Sequence, residues 1–176
     1  MNKQLYYCGI GSRKSDENIL ILMTKLSSRL EELSWILRSG GAIGADLAFE
    51  KGVANPQNKQ IFLARDAKPW AFDLVKSFLP NDRSGFDYWK PYIKSLLARN
   101  MMQVFGENND SPVKFILCWT KSLKYETSEV GGTGYAIRAA LKHNIPVYNI
   151  LEIGNDFDKI IGLINDSFSN ISKNKK

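Results

Sequence analysis

The sequence predicts an α/β protein whose mostly parallel sheet is flanked by helices on both faces. Short apolar segments alternate with longer segments whose apolar residues recur at helical spacing. Glycine-containing turns connect several of these segments, as they do between strands and helices in parallel sheets. Of the 176 residues, 44% are hydrophobic and 24% are charged, which is typical of a packed globular domain. This composition excludes a disordered chain, a collagen-like repeat and a coiled coil.

The first third of the chain predicts two strand–helix steps and a third strand. Residues 5–8 form a short apolar run, and residues 15–33 carry apolar side chains at helical spacing. Residues 35–38 are predicted to be the second strand, residues 45–53 the second helix and residues 61–63 the third strand. The first two strands are each followed by a glycine-containing turn, which indicates connections from strand to helix.

Residues 68–99 are the least regular part of the chain and hold many aromatic residues among three prolines. Helices are predicted at 71–78 and 89–105. The aromatic spacing follows no single helix face. These side chains are therefore interpreted as core or as a partner surface, such as a dimer face, rather than as a base-stacking stripe.

The last third of the chain returns to the regular alternation. Residues 113–119 form the clearest buried strand, and a helix at 135–142 follows a third glycine-containing turn. A further strand is predicted at 145–148 and a last amphipathic helix at 157–168.

A single domain over residues 1–170 is predicted, with a disordered basic tail at 171–176. The net charge is +6, and Lys173, Lys175 and Lys176 supply half of it. This balance permits a polyanionic partner without demanding one. No apolar run approaches the ~20 residues of a membrane-spanning helix, and the first residues lack the features of a signal peptide. A cytoplasmic protein with no membrane partner is expected.

Cys8 and Cys118 lie in apolar runs and are interpreted as reduced core thiols. With the single histidine, His143, they offer no ligand spacing for zinc, so neither a metal nor a cofactor is expected. His143 is predicted to cap the C-terminal end of its helix.

Three glycine-containing turns are expected to meet at one edge of the sheet. They span residues 9–13, 39–46 and 127–134, each between a strand and a helix. Ligands of parallel sheets bind beyond the carboxyl ends of the strands, where helix N-termini offer free N–H groups, so the turns predict a phosphate site. The glycines assigned to this site are Gly9, Gly11, Gly40, Gly41, Gly44, Gly131, Gly132 and Gly134.

The polar residues of these turns have candidate roles in phosphate binding. Ser12, Ser39 and Thr133 would either donate hydroxyl hydrogen bonds to phosphate oxygens or cap helices. Arg13 would clamp a phosphate with its guanidinium fork. No turn matches Gly-x-x-x-x-Gly-Lys-Ser/Thr, and Lys14 stands where a dinucleotide fingerprint has its third glycine. The phosphate loop of NTPases is thus excluded, and a dinucleotide fingerprint is not supported.

Seven segments, taken together and in order along the chain, form a sequence pattern that is more specific than any individual glycine turn. They are Cys8–Arg13, Leu37–Glu50, Ala98–Asn100, Gln103–Gly106, Leu117–Thr120, Gly131–Arg138 and Ile145–Asn149. Together they resemble the SLOG superfamily, most closely the small single-domain DprA/Smf-like proteins of phages and bacteria and more distantly the Lonely Guy phosphoribohydrolases. The resemblance implies a Rossmann-like fold, glycine turns that hold a nucleotide or a nucleic-acid phosphate, and a homodimer or higher homo-oligomer.

The same resemblance implies roles for Arg99 and Asn100, which align with the Arg-Lys pair of the Lonely Guy enzymes, with Arg99 contacting phosphate or substrate. Those enzymes also carry a glutamate shortly after their second glycine turn, whereas residues 135–138 are Tyr-Ala-Ile-Arg. Asp46 and Glu50, one turn apart on one helix face, are with Arg99 the candidate catalytic residues for hydrolysis of an N-glycosidic bond. Asp46 alternatively accepts a ribose hydroxyl or is simply favoured by the helix dipole.

Three hypotheses about function remain open. The first is binding of a nucleotide-derived small molecule, with either N-glycosidic hydrolysis or sequestration of a nucleotide signal as the outcome. The second is a DprA-like recombination mediator that binds single-stranded DNA. The third is a non-catalytic protein-interaction module. In the second hypothesis the DNA groove is formed by Arg13, Arg38, Arg99, Lys121 and Arg138, with Trp119 stacking on bases.

Overall fold

The computed structural model describes residues 4–173 and confirms the α/β prediction, with a five-stranded, entirely parallel sheet. The strand order is β3-β2-β1-β4-β5. The chain therefore builds outward from β1 in one direction and then crosses over to build in the other, which is the topology of Rossmann-like folds. The strands are β1 (Leu5–Gly11), β2 (Trp35–Ser39), β3 (Lys59–Ile61), β4 (Phe115–Trp119) and β5 (Val147–Asn149).

Helices cover both faces of the sheet and bury a separate apolar cluster on each. The first cluster joins α1, α2 and α7 to side chains such as Tyr7 and Leu117, and the second joins α3, α4 and α5 to Cys8 and Ile116. Adjacent strand residues thus point to opposite faces, and both faces are apolar, as expected for a parallel sheet. The helices are α1 (Glu17–Glu32), α2 (Ala45–Gly52), α3 (Pro69–Lys76), α4 (Pro91–Phe105), α5 (Thr133–Lys142), α6 (Ile150–Ile153) and α7 (Phe157–Lys173).

The first predicted turn is in fact the end of a strand. Gly9 and Gly11 continue β1, and they pair with Leu117 and Trp119 of β4. A Cβ atom on Gly9 would lie 2.7 Å from Phe49 Cγ, and one on Gly11 would lie 2.8 Å from the Trp119 carbonyl oxygen. These glycines therefore serve close packing of α2 and β4 on the strand rather than a bend.

Helices α3 and α4 each begin at a proline, and their starts therefore differ by two residues from the predicted ones. Helix α3 begins at Pro69 rather than at residue 71, and α4 begins at Pro91 rather than at residue 89. Proline is favoured in the first helical turn because its missing N–H has no intrahelical partner there. A short 3-10 helix, Phe86–Tyr88, precedes α4.

Helix α7 extends to Lys173, so residues 171–173 of the predicted tail are helical, and residues 174–176 lie outside the described part of the chain.

Cys8 and Cys118 are free and fully buried, and burial raises the pKa of both thiols. His143 caps α5 as predicted, with its Nδ1 2.9 Å from the Ala139 carbonyl oxygen. None of the helices described combines the length and hydrophobicity needed to cross a bilayer.

Candidate functional site

A cleft of about 420 Å³ opens at the carboxyl ends of β1 and β4. These neighbouring strands are followed by connections to opposite sides of the sheet, so the cleft lies at the topological switch point, where parallel sheets bind ligands. One wall is formed by the turn after β1 and by the N-terminus of α5, and the other by α4 and the segment before it. The polar and charged residues lining it are Ser12, Arg13, Asp46, Arg83, Arg99, Asn100, Thr120, Lys121, Ser128, Glu129, Thr133 and Tyr135.

A buried ion pair forms the floor of the cleft. Arg99 Nη1 of α4 donates to Asp46 Oδ2 of α2 at 2.8 Å, and their side chains are 7% and 3% exposed. The side-chain carbonyl of Gln103 accepts from Arg99 Nη1 at 2.6 Å and from the Gly40 N–H at 2.8 Å. A Cβ atom at Gly40 would lie 0.9 Å from Arg99 Nη1, so only glycine fits there. Helices from opposite faces of the sheet are thereby joined across its edge.

The protonation of Asp46 reflects two opposing influences. Burial raises the pKa of its carboxyl group, whereas Arg99 and the backbone N–H groups of Ala42 and Gly11 act in the opposite direction. The hydrogen-bonded guanidinium neutralises the carboxylate, so the pair adds little net charge to the cleft.

Backbone hydrogen bonds connect the turn after β1 to β4 and to the start of α2. The Ser12 N–H donates to the Trp119 carbonyl at 3.2 Å, and the Ser12 carbonyl accepts from the Ala45 N–H at 3.2 Å. Gly44 has a φ of +86°, and a Cβ atom there would lie 2.7 Å from Arg13 Cα. The Arg13 side chain extends from this turn and is exposed.

The N-terminus of α5 opens into the cleft. Gly131, with a φ of +61°, leads into Gly132 and Thr133, and all three line the cleft. The first N–H groups of a helix have no intrahelical acceptor and carry the positive end of the helix dipole. Asn100 Nδ2 donates to the Gly132 carbonyl at 2.9 Å and so ties this turn to α4.

Exposed cations surround the cleft mouth. Arg13, Arg83 and Lys121 line it, and among residues 4–173 none of them forms an ion pair. Glu129, an acidic residue at the same mouth, accepts hydrogen bonds from Lys124 Nζ at 3.1 Å and from Ser122 Oγ at 3.0 Å. These hydrogen bonds lower the pKa of its carboxyl group. The mouth therefore carries an excess of positive charge that favours an anion.

The wall formed by α4 and the segment before it is apolar. Three buried polar atoms belong to residues that line the cleft. Trp89, Ile93, Leu96 and Leu97 contribute the apolar surface. Within the described chain, Arg99 Nε, Asn100 Oδ1 and the Tyr135 hydroxyl have no hydrogen-bond partner. Buried polar atoms are normally satisfied, so these three atoms are an unusual feature of the cleft lining.

The structure brings many of the predicted site residues together in this cleft. From the turn after β1 and from α2 come Gly11, Ser12, Arg13 and Asp46. From α4 and the α5 turn come Arg99, Asn100, Gly131, Gly132 and Thr133.

Other predicted residues are placed elsewhere, for identifiable reasons. Ser39 is fully buried, and its hydroxyl donates to the Gly9 carbonyl at 2.7 Å, which leaves it unable to reach a ligand. Glu50 pairs with Lys59 Nζ, 3.8 Å from its Oε1, and does not line the cleft. The glycines that pack against neighbouring atoms or form turns without lining the cleft are Gly9, Gly40, Gly41, Gly44 and Gly134.

The expectation that three helix N-termini would converge is also corrected. The Ala45 N–H at the start of α2 already donates to Ser12, and the first turn of α1 lines a different cavity with Asp16, Asn18 and Trp119. Trp119 consequently faces away from the main cleft and is not placed to stack on a base there. The α5 N-terminus is the helix end that the cleft presents.

Two arginines expected in a DNA groove are structural instead. Arg38 is 2% exposed, and its Nε donates to Gln60 Oε1 at 2.8 Å. Arg138 is 6% exposed, and its Nε donates to the Phe78 carbonyl at 2.8 Å. Conversely, sequence reasoning missed Arg83 and the apolar wall, because the irregular 80–93 segment gives no periodic signal of where it folds. Ser128 lies in the predicted 127–134 turn, but it was not singled out as a binding residue.

Comparisons with known proteins support the fold alone. No protein-family model matches the sequence, and neither does any curated protein. A solved structure of DNA processing protein A from Helicobacter pylori, described for its single-stranded DNA binding mode, is similar, with a TM-score of 0.58 and 16% sequence identity. The match covers 94% of this chain and 82% of the other. The chain thus has a DprA-like, Rossmann-like fold.

The buried ion pair yields a prediction about stability. Asp46→Ala leaves the Arg99 guanidinium buried without its partner, and we expect the free energy of unfolding in urea to fall by ~3–5 kcal/mol. Replacing both partners, as Asp46→Leu with Arg99→Met, removes the unpaired charge and should cost less than the single change.

The matched control is Glu50→Ala, one turn further along α2, because its partly exposed pair with Lys59 should contribute at most ~1 kcal/mol. An Asp46→Ala protein as stable as the Glu50→Ala protein would contradict the assignment of Asp46 and Arg99 as the floor of the cleft.

Proposed function

We propose that the cleft binds phosphate groups of single-stranded DNA. The observation that carries this proposal is the meeting of a helix N-terminus, exposed cations and an apolar wall in one cleft at the switch point of the sheet. The structural similarity to a protein described for single-stranded DNA binding supports the same choice over the alternatives.

The anion-binding side of the cleft suits a phosphodiester. The N–H groups at Gly132 and Thr133 would donate to phosphate oxygens, and the helix dipole favours the negative charge. Arg13, Arg83 and Lys121 would pair with the same or neighbouring phosphates at the mouth. Because Asp46 is already neutralised by Arg99, it would not repel them.

The apolar side of the cleft favours a single strand over a duplex. The Trp89 ring and the side chains of Ile93 and Leu97 offer a surface for an unpaired base, which a duplex keeps stacked inside. Backbone contacts on one wall and base contacts on the other are the usual arrangement for binding single strands without sequence preference.

A second candidate function is binding of a nucleotide-derived small molecule. The side chains of Asn100, Thr133 and Tyr135 favour it, because they line the cleft and can form hydrogen bonds to polar groups of a discrete ligand. The cleft volume of about 420 Å³ is also in the range of small-molecule sites. In this proposal the Asp46 carboxylate, which lines the cleft, would be the general base for N-glycosidic hydrolysis.

The DNA proposal predicts a salt-dependent affinity. Binding of a fluorescent oligo-dT should weaken with rising salt, with a slope of about −0.7 in log K against log[salt] for each phosphate neutralised. Arg13→Ala should reduce affinity ~3–10-fold and make the slope shallower by about 0.7, since one phosphate contact is lost. Lys25→Ala, an exposed cation on α1, is the matched control and should leave both unchanged. Binding that is absent, or unaffected by salt, would refute the proposal.

The small-molecule proposal predicts thermal stabilisation by a nucleoside monophosphate. A ligand at 100 times its Kd adds ~2.7 kcal/mol to the free energy of unfolding, which raises Tm by several degrees. If the protein is an N-glycosidic hydrolase, chromatography will detect free base, and Asp46→Asn will abolish its release while Glu50→Ala will not. No stabilisation across a panel of nucleotides would rule out this candidate.

A further inference from the structure

We propose that the surface formed by Tyr88, Tyr92 and Ile93, here called the tyrosine face, stacks on bases of single-stranded DNA where the strand leaves the cleft. This inference deepens the proposed function and rests on it. It assigns a second contact region, of a different chemistry from the phosphate-binding wall.

Three exposed apolar side chains, two of them aromatic, come from one short segment of the chain. Tyr88 is 94% exposed, Tyr92 65% and Ile93 40%, and they lie within six residues of one another along the chain. Apolar side chains clustered on a surface mark interaction sites more often than isolated ones do. A tyrosine ring suits a base in particular, because every base has a flat face on which an aromatic ring can stack.

The tyrosine face continues from the cleft. Trp89 and Ile93 line the cleft, and Tyr88 and Tyr92 directly precede them in the chain. A strand whose phosphates lie at the α5 N-terminus would pass Trp89 before it reaches the exposed rings. The proposed path out of the cleft runs over Ile93, which both lines the cleft and is partly exposed.

The segment that presents the rings is anchored. Phe86, 6% exposed, packs in the core and lies 5.5 Å from the Trp89 ring, centroid to centroid. Lys94 Nζ donates to the Asp87 carbonyl at 2.6 Å, and Pro91 begins α4. An ordered platform of this kind loses little conformational entropy when a base stacks on it.

Charge favours a nucleic acid over a second copy of this chain. The acid next to Tyr88 in the chain, Asp87, is paired with Lys76 Nζ at 3.0 Å. Arg83 Cζ lies 5.8 Å from the Trp89 ring centroid, and the exposed Lys90 stands between Tyr88 and Tyr92 in the chain. Neither cation forms an ion pair within the described residues. The chain as a whole carries a net charge of +6. A polyanion is attracted to such a surface, and a like-charged copy is repelled.

The test compares short and long oligonucleotides with a Tyr88→Ala/Tyr92→Ala protein. Stacking on one ring is worth ~5–10-fold or more in affinity, so binding of a dT15 strand should weaken at least ~20-fold. Binding of dT3, which fills the cleft alone, should not change. Stacking releases no counterions, so the salt slope for dT15 should also stay as in the unchanged protein.

Two matched variants complete the experiment. Tyr88→Phe/Tyr92→Phe keeps both rings and should bind dT15 like the unchanged protein. Ile21→Ala, which removes a 48% exposed side chain from α1 on the far face of the sheet, should have no effect. Because Tyr88 and Tyr92 are exposed, thermal denaturation should show that all these proteins fold alike.

Equal binding of dT15 by the double alanine variant and the unchanged protein would overturn the inference and leave the cleft proposal standing. If the unchanged protein binds neither oligonucleotide, the cleft proposal fails, and the inference fails with it. If the double alanine variant binds dT15 normally but changes from dimer to monomer in light scattering, the tyrosine face is a self-association surface and the inference is wrong.

Discussion

The buried ion pair between Asp46 and Arg99 is the constraint on which the cleft depends. It joins α2, on one face of the sheet, to α4, on the other, at the edge where β1 and β4 end. Unpaired, either charge would be costly to bury, so the two helices are held in one relative position. Gly40 is needed for the same ion pair. Because glycine has no Cβ atom, the Arg99 guanidinium can pack against the turn after β2.

The electrostatics of the cleft follow from this arrangement. With the floor neutralised, the potential at the mouth is set by the exposed Arg13, Arg83 and Lys121 and by the α5 N-terminus. These groups are hydrated until a ligand binds, so their contribution decreases with salt, whereas the buried pair is screened much less. The fold thus separates a structural charge pair from the charges available to a ligand.

The sequence was sufficient to predict the architecture and about half of the charged and polar residues that line the candidate cleft. Alternating apolar runs revealed the parallel sheet, and the turns at Ser12–Arg13 and Gly131–Thr133 were correctly expected at one edge. Gly9 and Ser39 do not line the cleft, because each contacts a partner distant along the chain, namely Phe49 for Gly9 and the Gly9 carbonyl for Ser39. Arg83 was missed because an irregular segment gives no periodic pattern to place it. Contacts between residues far apart in the chain decide which side chains line the cleft, and the sequence pattern does not reveal those contacts.

The most direct test of the phosphate-binding cleft is a residue-resolved ¹H–¹⁵N NMR titration of the protein with a short oligo-dT. We expect the backbone amide signals of Arg13, Gly132 and Thr133 to shift most and to saturate together, while those of the structural Arg38 region stay in place. Shifts concentrated on another surface, with the α5 N-terminus unchanged at saturation, would contradict this expectation.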